Sequence, residues 1–156
     1  LQRGGLLLAA LLAILDQASK WIVLLVVMQP PRQIEVVPFF NLVLVYNTGI
    51  SFGMFTNDEG SSRWILVALA LGIIVLLLVW LLSAETPAVS VGLSLVIGGA
   101  VSNVGDRLIH PGVVDFLDFH LGGLHWPAFN LADTAIVVGV ALLLYDGLFG
   151  ARSAAK

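Results

Sequence analysis

The 156-residue chain is far more apolar than an ordinary water-soluble domain, since 59% of its residues are hydrophobic and only 11% are charged. The formal net charge is -3 and the seven lysines and arginines are scattered, so no basic surface for nucleic acid is expected. The absence of cysteine excludes disulfides, thiolate metal sites and a cysteine nucleophile.

Four stretches are long and apolar enough to cross the ~30 Å hydrocarbon core of a bilayer as helices. These spans are predicted over residues 6–28, 64–84, 89–109 and 131–149. In the first, the apolar run resumes at Trp21 after several polar residues, and no small-x-small cleavage pattern follows. An uncleaved helix is therefore expected there instead of a secretory signal peptide.

The second and third spans have features that are typical of membrane helices. Trp64 and Trp80 lie ~24 Å apart along the second helix, which suits the two interfacial belts of a bilayer. In the third, Ser94, Gly98 and Ser102 recur every four residues. This small-residue stripe predicts a close approach to a neighbouring helix.

The segment between the first and second helices, residues 29–62, is predicted to form a small sheet lying on the membrane. Its prolines break helix, and the β-branched and aromatic run at 39–46 favours a strand. Residues 110–126 join the third and fourth helices through a His-Pro-Gly turn. The predicted fold is an all-α membrane protein with four transmembrane helices and a small β-sheet, in a single domain over residues 1–156.

The charge distribution gives only a slight preference for membrane orientation. An even number of spans places both chain ends on one side, and three basic residues on each side compete under the positive-inside rule. They are Arg3, Arg152 and Lys156 on one side, and Arg32, Arg63 and Arg107 on the other. Setting Arg107 aside as part of a site slightly favours cytoplasmic termini.

Ionisable groups in or beside membrane spans are costly unless they are paired, so each one is a functional candidate. Asp133 is the third residue of a helix that Asn130 can cap. One interpretation is a capping box, which only stabilises the helix end. The other is a general base, because the helix dipole favours a carboxylate in the first turn.

Asp115 lies in the apolar sequence Gly-Val-Val-Asp-Phe, which should disfavour its charge and raise its pKa. An exposed loop carboxylate is the alternative, and Asp118 is a rival three residues later. Two carboxyl groups brought together share a proton, so that one acts as base on a water and the other as acid toward a carbonyl oxygen. Asp115 and Asp133 together would supply the chemistry of an aspartic peptidase.

Several other polar residues are predicted to support such a pair. Asn103 and Arg107 are four residues apart and share one face of the third helix, although a solvated helix end is the alternative. Asp16 and Lys20 form another four-residue pair, interpreted as structural or substrate-facing support. Asn47 begins an Asn-Thr-Gly turn at the end of the predicted strand.

Three other functions are consistent with parts of the sequence. Residues 49–53 match the G-x-S-x-G nucleophile elbow around Ser51, but the chain cannot supply the large parallel sheet that the elbow needs. A transporter or proton relay would need polar residues that continue across the membrane. A metal site would lack helical H-E-x-x-H spacing and would draw on His110, His120, His125, Asp115 and Asp118.

Five motifs occur in the order typical of one enzyme family. They are Asp16-Gln17-x-x-Lys20, Asn47-Thr48-Gly49-x-x-Phe52, Asn103-x-x-Asp106-Arg107, Val114-Asp115-Phe116 and Phe129-Asn130-x-Ala132-Asp133. Through them most of the chain resembles the lipoprotein signal peptidase family, also called signal peptidase II. It departs from the family at Ser102, where glycine is usual, and at Ser51, where alanine is usual.

The resemblance implies a bacterial inner-membrane aspartic endopeptidase that cleaves diacylglyceryl-modified prolipoproteins ahead of the lipidated cysteine. It implies a sheet and an active site at the extracytoplasmic face, a monomer in contact with membrane lipids, and neither metal nor organic cofactor. Asp115 and Asp133 would be catalytic, Asp16 and Lys20 structural, and Asp118 without a catalytic role. Substrate binding or support of the pair would fall to Asn47, Asn103, Arg107 and Asn130.

Overall fold

The computed structural model of the chain describes residues 1–49 and 59–150, and the side chains of residues 59–61 and 150 lie outside that description. Within the described residues, four helices are long and apolar enough to cross a membrane. The four predicted spans are therefore confirmed, with their ends within a few residues of the predicted positions. Ser51, Phe52, Arg152 and Lys156, which the sequence singled out, lie outside the described residues.

The four helices are α1 (Gln2–Ile22), α2 (Glu59–Leu82), α3 (Pro87–Ile109) and α4 (Leu131–Tyr145). Helices α1 and α4 each continue as a π-helical turn, over Val23–Val27 and Asp146–Gly150. Thr86 caps α3, because its hydroxyl oxygen accepts a hydrogen bond from the Val89 backbone N–H at 3.1 Å. Pro87 follows in the first turn, where its missing N–H costs no intrahelical bond.

Helix α3 lies at the centre of the bundle and packs against the other three helices. A Cβ atom on Gly98 would lie 2.6 Å from the Ala9 carbonyl oxygen of α1, so the predicted close approach is confirmed there. A Cβ atom on Gly99 would lie 2.5 Å from the Ala132 carbonyl oxygen of α4. The first turn of α4, which carries Asp133, is thus seated directly on α3.

Two groups of buried apolar side chains stabilise this arrangement. One lies between α2 and α3 and includes Leu81 and Leu93, which are fully buried. The other joins the π-helical end of α1 to the sheet through Val23, Met28 and Phe116. The second group fixes the position of the sheet over the bundle.

The described residues form a four-stranded antiparallel sheet in the order β1 (Ile34–Val37), β2 (Phe40–Asn47), β3 (Val113–Leu121) and β4 (Leu124–His125). The strand predicted at 39–46 is confirmed. The sheet is larger than predicted, because β3 and β4 come from the connection between α3 and α4. Strand β3 pairs with β2 so that Asp115 lies opposite Val45 and Asp118 lies opposite Asn41.

The two ends of the bundle differ in character. At one end, the Gln2 side chain donates a hydrogen bond to the Leu82 carbonyl oxygen, and the Thr86 hydroxyl lies 3.3 Å from the Asp146 carboxylate. The opposite end contains the sheet, the last turns of α3 and the first turn of α4. All the polar residues of the five motifs that the structure describes gather toward this second end.

Candidate active site

Asp115 on β3 and Asp133 on α4 are joined through Asn130, the N-cap of α4. The Asn130 side-chain amide donates to Asp115 Oδ1 at 2.7 Å, and its backbone N–H donates to Asp133 Oδ2 at 3.2 Å. Asn130 Oδ1 in turn accepts from the Asp133 N–H at 3.0 Å, so the predicted capping box is confirmed. The capping box and the pairing of the two carboxyl groups are therefore parts of the same arrangement.

Asp115 is 1% exposed and lies between the buried side chains of Val114 and Phe116. Burial raises the pKa of Asp115 to about 6, against the opposing effect of a hydrogen bond from Asn47, and the nearby charge of Asp133 raises it further. The predicted rise in this pKa, with burial as its cause, is confirmed. Asp115 thus retains its proton to a higher pH than an ordinary aspartate does.

The Asn47 side chain makes hydrogen bonds both to Asp115 and within the turn that follows β2. Its side-chain amide donates to Asp115 Oδ2 at 3.0 Å, while its Oδ1 accepts from the Gly49 N–H at 2.9 Å. Gly49 has a φ of +76°, a conformation that glycine adopts without strain. The predicted turn is confirmed, and it aims the Asn47 amide at the carboxyl group.

Asp133 is half-buried, and its other oxygen, Oδ1, accepts a hydrogen bond from Asn103 Nδ2 at 2.9 Å. A cavity of about 340 Å³ lies beside it. The cavity is lined by Trp126, Phe129, Asp133, Thr134, Val137 and Val138. Val137 is 68% exposed, so this largely apolar cavity lies at the outer face of α4.

A buried ionic cluster lies beneath the carboxyl pair. Lys20 Nζ is 2.7 Å from Asp16, 2.8 Å from Asp106 and 2.9 Å from Asn103 Oδ1. The predicted Asp16–Lys20 pair is confirmed as a contact, and Asp106 is its third member. Because Asn103 also donates to Asp133, the cluster connects directly to the site.

The same cluster holds the chain on either side of the site. Asp106 Oδ2 accepts from the backbone N–H of Val114, the residue before Asp115, at 2.9 Å. Gln17 adds a side-chain hydrogen bond to Asp106 Oδ1 at 2.6 Å. Asp106 belongs to the third of the five sequence motifs, but its hydrogen bond to the backbone of β3 follows only from the fold.

The Arg107 side chain returns along α3 to Asn103, one turn earlier, so the shared face predicted from their spacing is confirmed. Its Nη1 donates to the Asn103 carbonyl oxygen at 3.3 Å, and it is close enough to Asp115 and Asp133 for electrostatic attraction. Its Nε atom is buried and has no hydrogen-bond partner among the described residues. Arg107 therefore keeps one donor that the contacts of the described residues leave unused.

Asp118, which the sequence offered as an alternative to Asp115, makes its hydrogen bonds outside the carboxyl pair. Its carboxylate accepts from Asn41 Nδ2 at 2.9 Å and lies 2.9 Å from His125 Nδ1. Burial raises the pKa of Asp118, but the hydrogen bonds from His125 and Asn41 outweigh that effect and hold it below its usual value. In the part of the chain that the structure describes, no three histidine, aspartate or glutamate side chains are grouped to hold a metal.

A small membrane bundle with two carboxyl groups joined at one end of its helices is the architecture of a membrane-embedded aspartic peptidase. The family model described as signal peptidase (SPase) II matches residues 8–149. The chain belongs to the signal peptidase II family, and it is a multi-pass membrane protein.

Individual relatives agree with this assignment. The chain is 45% identical over 149 residues to the lipoprotein signal peptidase of Nitrobacter hamburgensis, covering 92% of this chain and 91% of that protein. It is 49% identical over 122 residues to the lipoprotein signal peptidase of Burkholderia thailandensis, covering 77% and 73%. The resemblance recognised in the five motifs is therefore confirmed.

Two solved structures of bacterial membrane enzymes, obtained by the in meso method, have the same fold. The one at 2.3 Å resolution has a TM-score of 0.77 and covers 98% of this chain and 92% of its own. The one at 1.9 Å has a TM-score of 0.80 and covers 94% and 93%. Both are 28% identical to this chain.

Proposed function

We propose that Asp115 and Asp133 are the catalytic pair with which this peptidase removes signal peptides from lipid-modified prolipoproteins. The observation that carries the proposal is the Asn130 bridge, which donates hydrogen bonds to both carboxyl groups at 2.7 and 3.2 Å. Aspartic peptidases need two carboxyl groups close enough to share a proton. The effect of Asp133 on the pKa of Asp115 supports that proximity.

In the proposed reaction, the ionised carboxylate takes a proton from a water molecule, whose oxygen attacks the scissile carbonyl carbon. The protonated carboxyl group donates its proton to the carbonyl oxygen, which gives a neutral tetrahedral intermediate. The C–N bond then breaks as the leaving nitrogen receives a proton from one carboxyl group, while the other carboxylate takes a hydroxyl proton of the intermediate, which restores the single proton of the pair. The raised pKa of Asp115 keeps its carboxyl group protonated to a higher pH than that of an ordinary aspartate, which suits a pair that must retain one proton.

Four residues would support this pair. The amide groups of Asn47, Asn103 and Asn130 hold the carboxyl oxygens in place through the hydrogen bonds described above. Arg107 has a buried Nε donor without a partner among the described residues, and this donor suits a carbonyl oxygen of the substrate backbone. Asp16 and Lys20 would act through the backbone and not on the substrate.

The cavity beside Asp133 supports a substrate that arrives from the bilayer. Phe129, Val137 and Val138 line it, and both valines lie on the exposed face of a membrane-spanning helix. A diacylglyceryl-modified substrate would keep its acyl chains among the membrane lipids while its backbone reaches the carboxyl groups. Burial of those chains would supply much of the binding free energy, with cleavage ahead of the lipidated cysteine.

The proposed reaction also implies which membrane holds the protein and on which side of it the carboxyl pair lies. We infer a bacterial inner membrane, with the carboxyl pair near the extracytoplasmic face and the end that contains Gln2 and Arg3 toward the cytoplasm. Both proposed catalytic residues and all their supports come from one chain. A monomer, acting as a single domain over residues 1–156, is therefore sufficient for the reaction.

The proposal is tested by incubating the purified full chain with a lipid-modified prolipoprotein and following loss of the signal peptide. Asp115→Asn and Asp133→Asn should each lower kcat by roughly 1000-fold or more while the protein stays folded and inserted. Glu85→Gln, a change of an exposed carboxylate at the opposite end of the bundle, is the control. Near-parent cleavage by either aspartate variant would refute the pair.

A further inference from the structure

A second acidic group on β3 is held in an arrangement that the proposed reaction does not use. Asp118 is 6% exposed, and its carboxylate accepts hydrogen bonds from Asn41 on β2 and His125 on β4. An ionised carboxylate has no proton to donate, so His125 Nδ1 must carry the hydrogen in this contact. The pair ties the short strand β4 to the centre of the sheet.

The hairpin formed by β3 and β4 is tight and well defined. Gly122 and Gly123 form its turn with φ values of +58° and +84°, as a two-residue type I′ turn requires. His120 pairs with His125 in register, and their rings stack with centroids 4.7 Å apart. The Asp118–His125 contact therefore closes the base of a hairpin whose next residue is Trp126.

Trp126 connects this hairpin to the candidate active site. Its backbone N–H donates to the Phe119 carbonyl oxygen at 2.8 Å, so the chain is held on the sheet at this point. Its side chain is 70% exposed and lines the cavity that contains Asp133. The same side chain lines a second cavity, of about 480 Å³, between the hairpin and Phe39.

We propose that Asp118 and His125 are positioning residues of the peptidase, which hold Trp126 as a wall of the cavity beside Asp133, where Trp126 contacts the bound substrate. The proposal rests on the proposed catalytic role of Asp133. A tryptophan in this position presents a large apolar surface with one N–H donor, which suits an apolar segment of polypeptide next to the scissile bond.

Because His125 lies at the surface, an effect of its removal on substrate binding can be separated from an effect on the stability of the fold. Its side chain is 50% exposed, so its removal leaves no cavity in the core. Neither Asp118 nor His125 hydrogen-bonds to Asp115 or Asp133 among the contacts of the described residues. Loss of the pair should therefore change substrate binding and leave the chemistry of the two carboxyl groups intact.

The test compares kcat and KM of the purified full chain acting on a lipid-modified prolipoprotein. His125→Ala should raise KM about tenfold, the change that a loss of ~1.4 kcal/mol of binding free energy produces, with kcat nearly unchanged. Trp126→Ala should raise KM at least as much. The double variant should match Trp126→Ala alone, because the pair acts through that side chain.

Two further variants make the test specific. His125→Asn retains an amide donor near the position of Nδ1 and should restore most of the parent KM. Val36→Ala, at an exposed position on β1 that lines neither cavity, is the control for a change in the sheet.

An unchanged KM in His125→Ala, or KM increases that multiply in the double variant, would overturn the proposal. So would a fall in kcat that parallels a fall in melting temperature, which would indicate support of the fold. Asp133→Asn, measured in the same assay, tests the catalytic pair separately, because its effect is on kcat. The KM pattern of the hairpin variants and the kcat effect of Asp133→Asn are therefore read separately, so that failure of one is distinguished from failure of the other.

Discussion

Asp16 on α1 accepts a hydrogen bond at 2.8 Å from the backbone N–H of Ala132 on α4, 116 positions later in the chain. Ala132 is the residue immediately before Asp133. In the same way, Asp106 accepts a hydrogen bond from the backbone N–H of Val114, the residue before Asp115. Lys20 Nζ lies 2.7 Å from the Asp16 carboxylate and 2.8 Å from the Asp106 carboxylate. One buried ammonium group therefore fixes the backbone that leads into each member of the proposed catalytic pair.

Replacing Lys20 with methionine tests this coupling. The variant keeps a long side chain but leaves Asp16 and Asp106 buried without their cation, and breaking a buried ion pair in this way costs about 3–5 kcal/mol. We expect a lower melting temperature and loss of most cleavage activity, because the backbone before both aspartates is released. Thermal unfolding and prolipoprotein cleavage, measured on the same preparation, check both effects.

Arg3→Met is the matched control, since Arg3 lies at the exposed start of the same helix. It removes one positive charge from α1 but touches no buried carboxylate in the cluster. A Lys20→Met variant as stable and active as Arg3→Met would show that the cluster does not hold the site.

The sequence predicted the helices well because length and apolar composition are local properties. It did not assign β3 to a strand, because Asp115 and Asp118 interrupt the apolar run and the partner strand β2 lies far away in the chain. Once paired, these two aspartates are buried at positions where a strand of this length would otherwise carry apolar residues. Their burial depends on amide donors that come from other elements.

The four-residue spacing of Asp16 and Lys20 predicted their contact, but the rest of the cluster depends on how α1 packs against α3. Ser102 was predicted only as a small packing residue, in place of a glycine. Its hydroxyl donates to Asp16 Oδ2 at 2.6 Å, which adds a hydrogen bond that glycine cannot make. Gln17 likewise donates to Ser102 Oγ at 3.0 Å, a contact that no local pattern predicts.

Replacing Gly99 with alanine should reduce activity through the backbone of α4. The new Cβ atom would lie 2.5 Å from the Ala132 carbonyl oxygen, so the first turn of α4, with Asp133, must move away from α3. A displacement of about 1 Å at a catalytic group can cost roughly 100-fold in rate. We expect kcat to fall by that order in the prolipoprotein assay, with the protein still folded.

Gly72→Ala on α2 is the control for this substitution. A Cβ atom at Gly72 meets nothing within 4 Å, so the change affects only intrinsic helix propensity, where alanine is favoured by about 1 kcal/mol. It should leave cleavage unchanged. If Gly99→Ala behaved in the same way, the close contact between α3 and α4 would not determine the position of Asp133.

The raised pKa of Asp115 predicts how stability depends on pH. Because the folded state binds this proton more tightly than the unfolded state, the contribution of Asp115 is fully present below pH 3.8 and is lost as pH rises through about 6. A shift from 3.8 to about 6 corresponds to roughly 3 kcal/mol. The parent should therefore lose this contribution between about pH 4 and pH 7, and Asp115→Asn, which cannot ionise, should not.

The measurement is the difference in melting temperature between parent and variant, compared at about pH 4 and about pH 7 in the same detergent. The melting temperature of Asp115→Asn, relative to that of the parent, should rise as pH rises, even though the variant has lost activity. The relative melting temperature of Asp133→Asn should also rise with pH, but by less. This substitution removes one cause of the raised Asp115 pKa, the charge of Asp133, but leaves burial, the larger cause, in place. Equal pH slopes in all three proteins would mean that Asp115 is solvated like an ordinary surface carboxylate, which is incompatible with a proton-sharing pair.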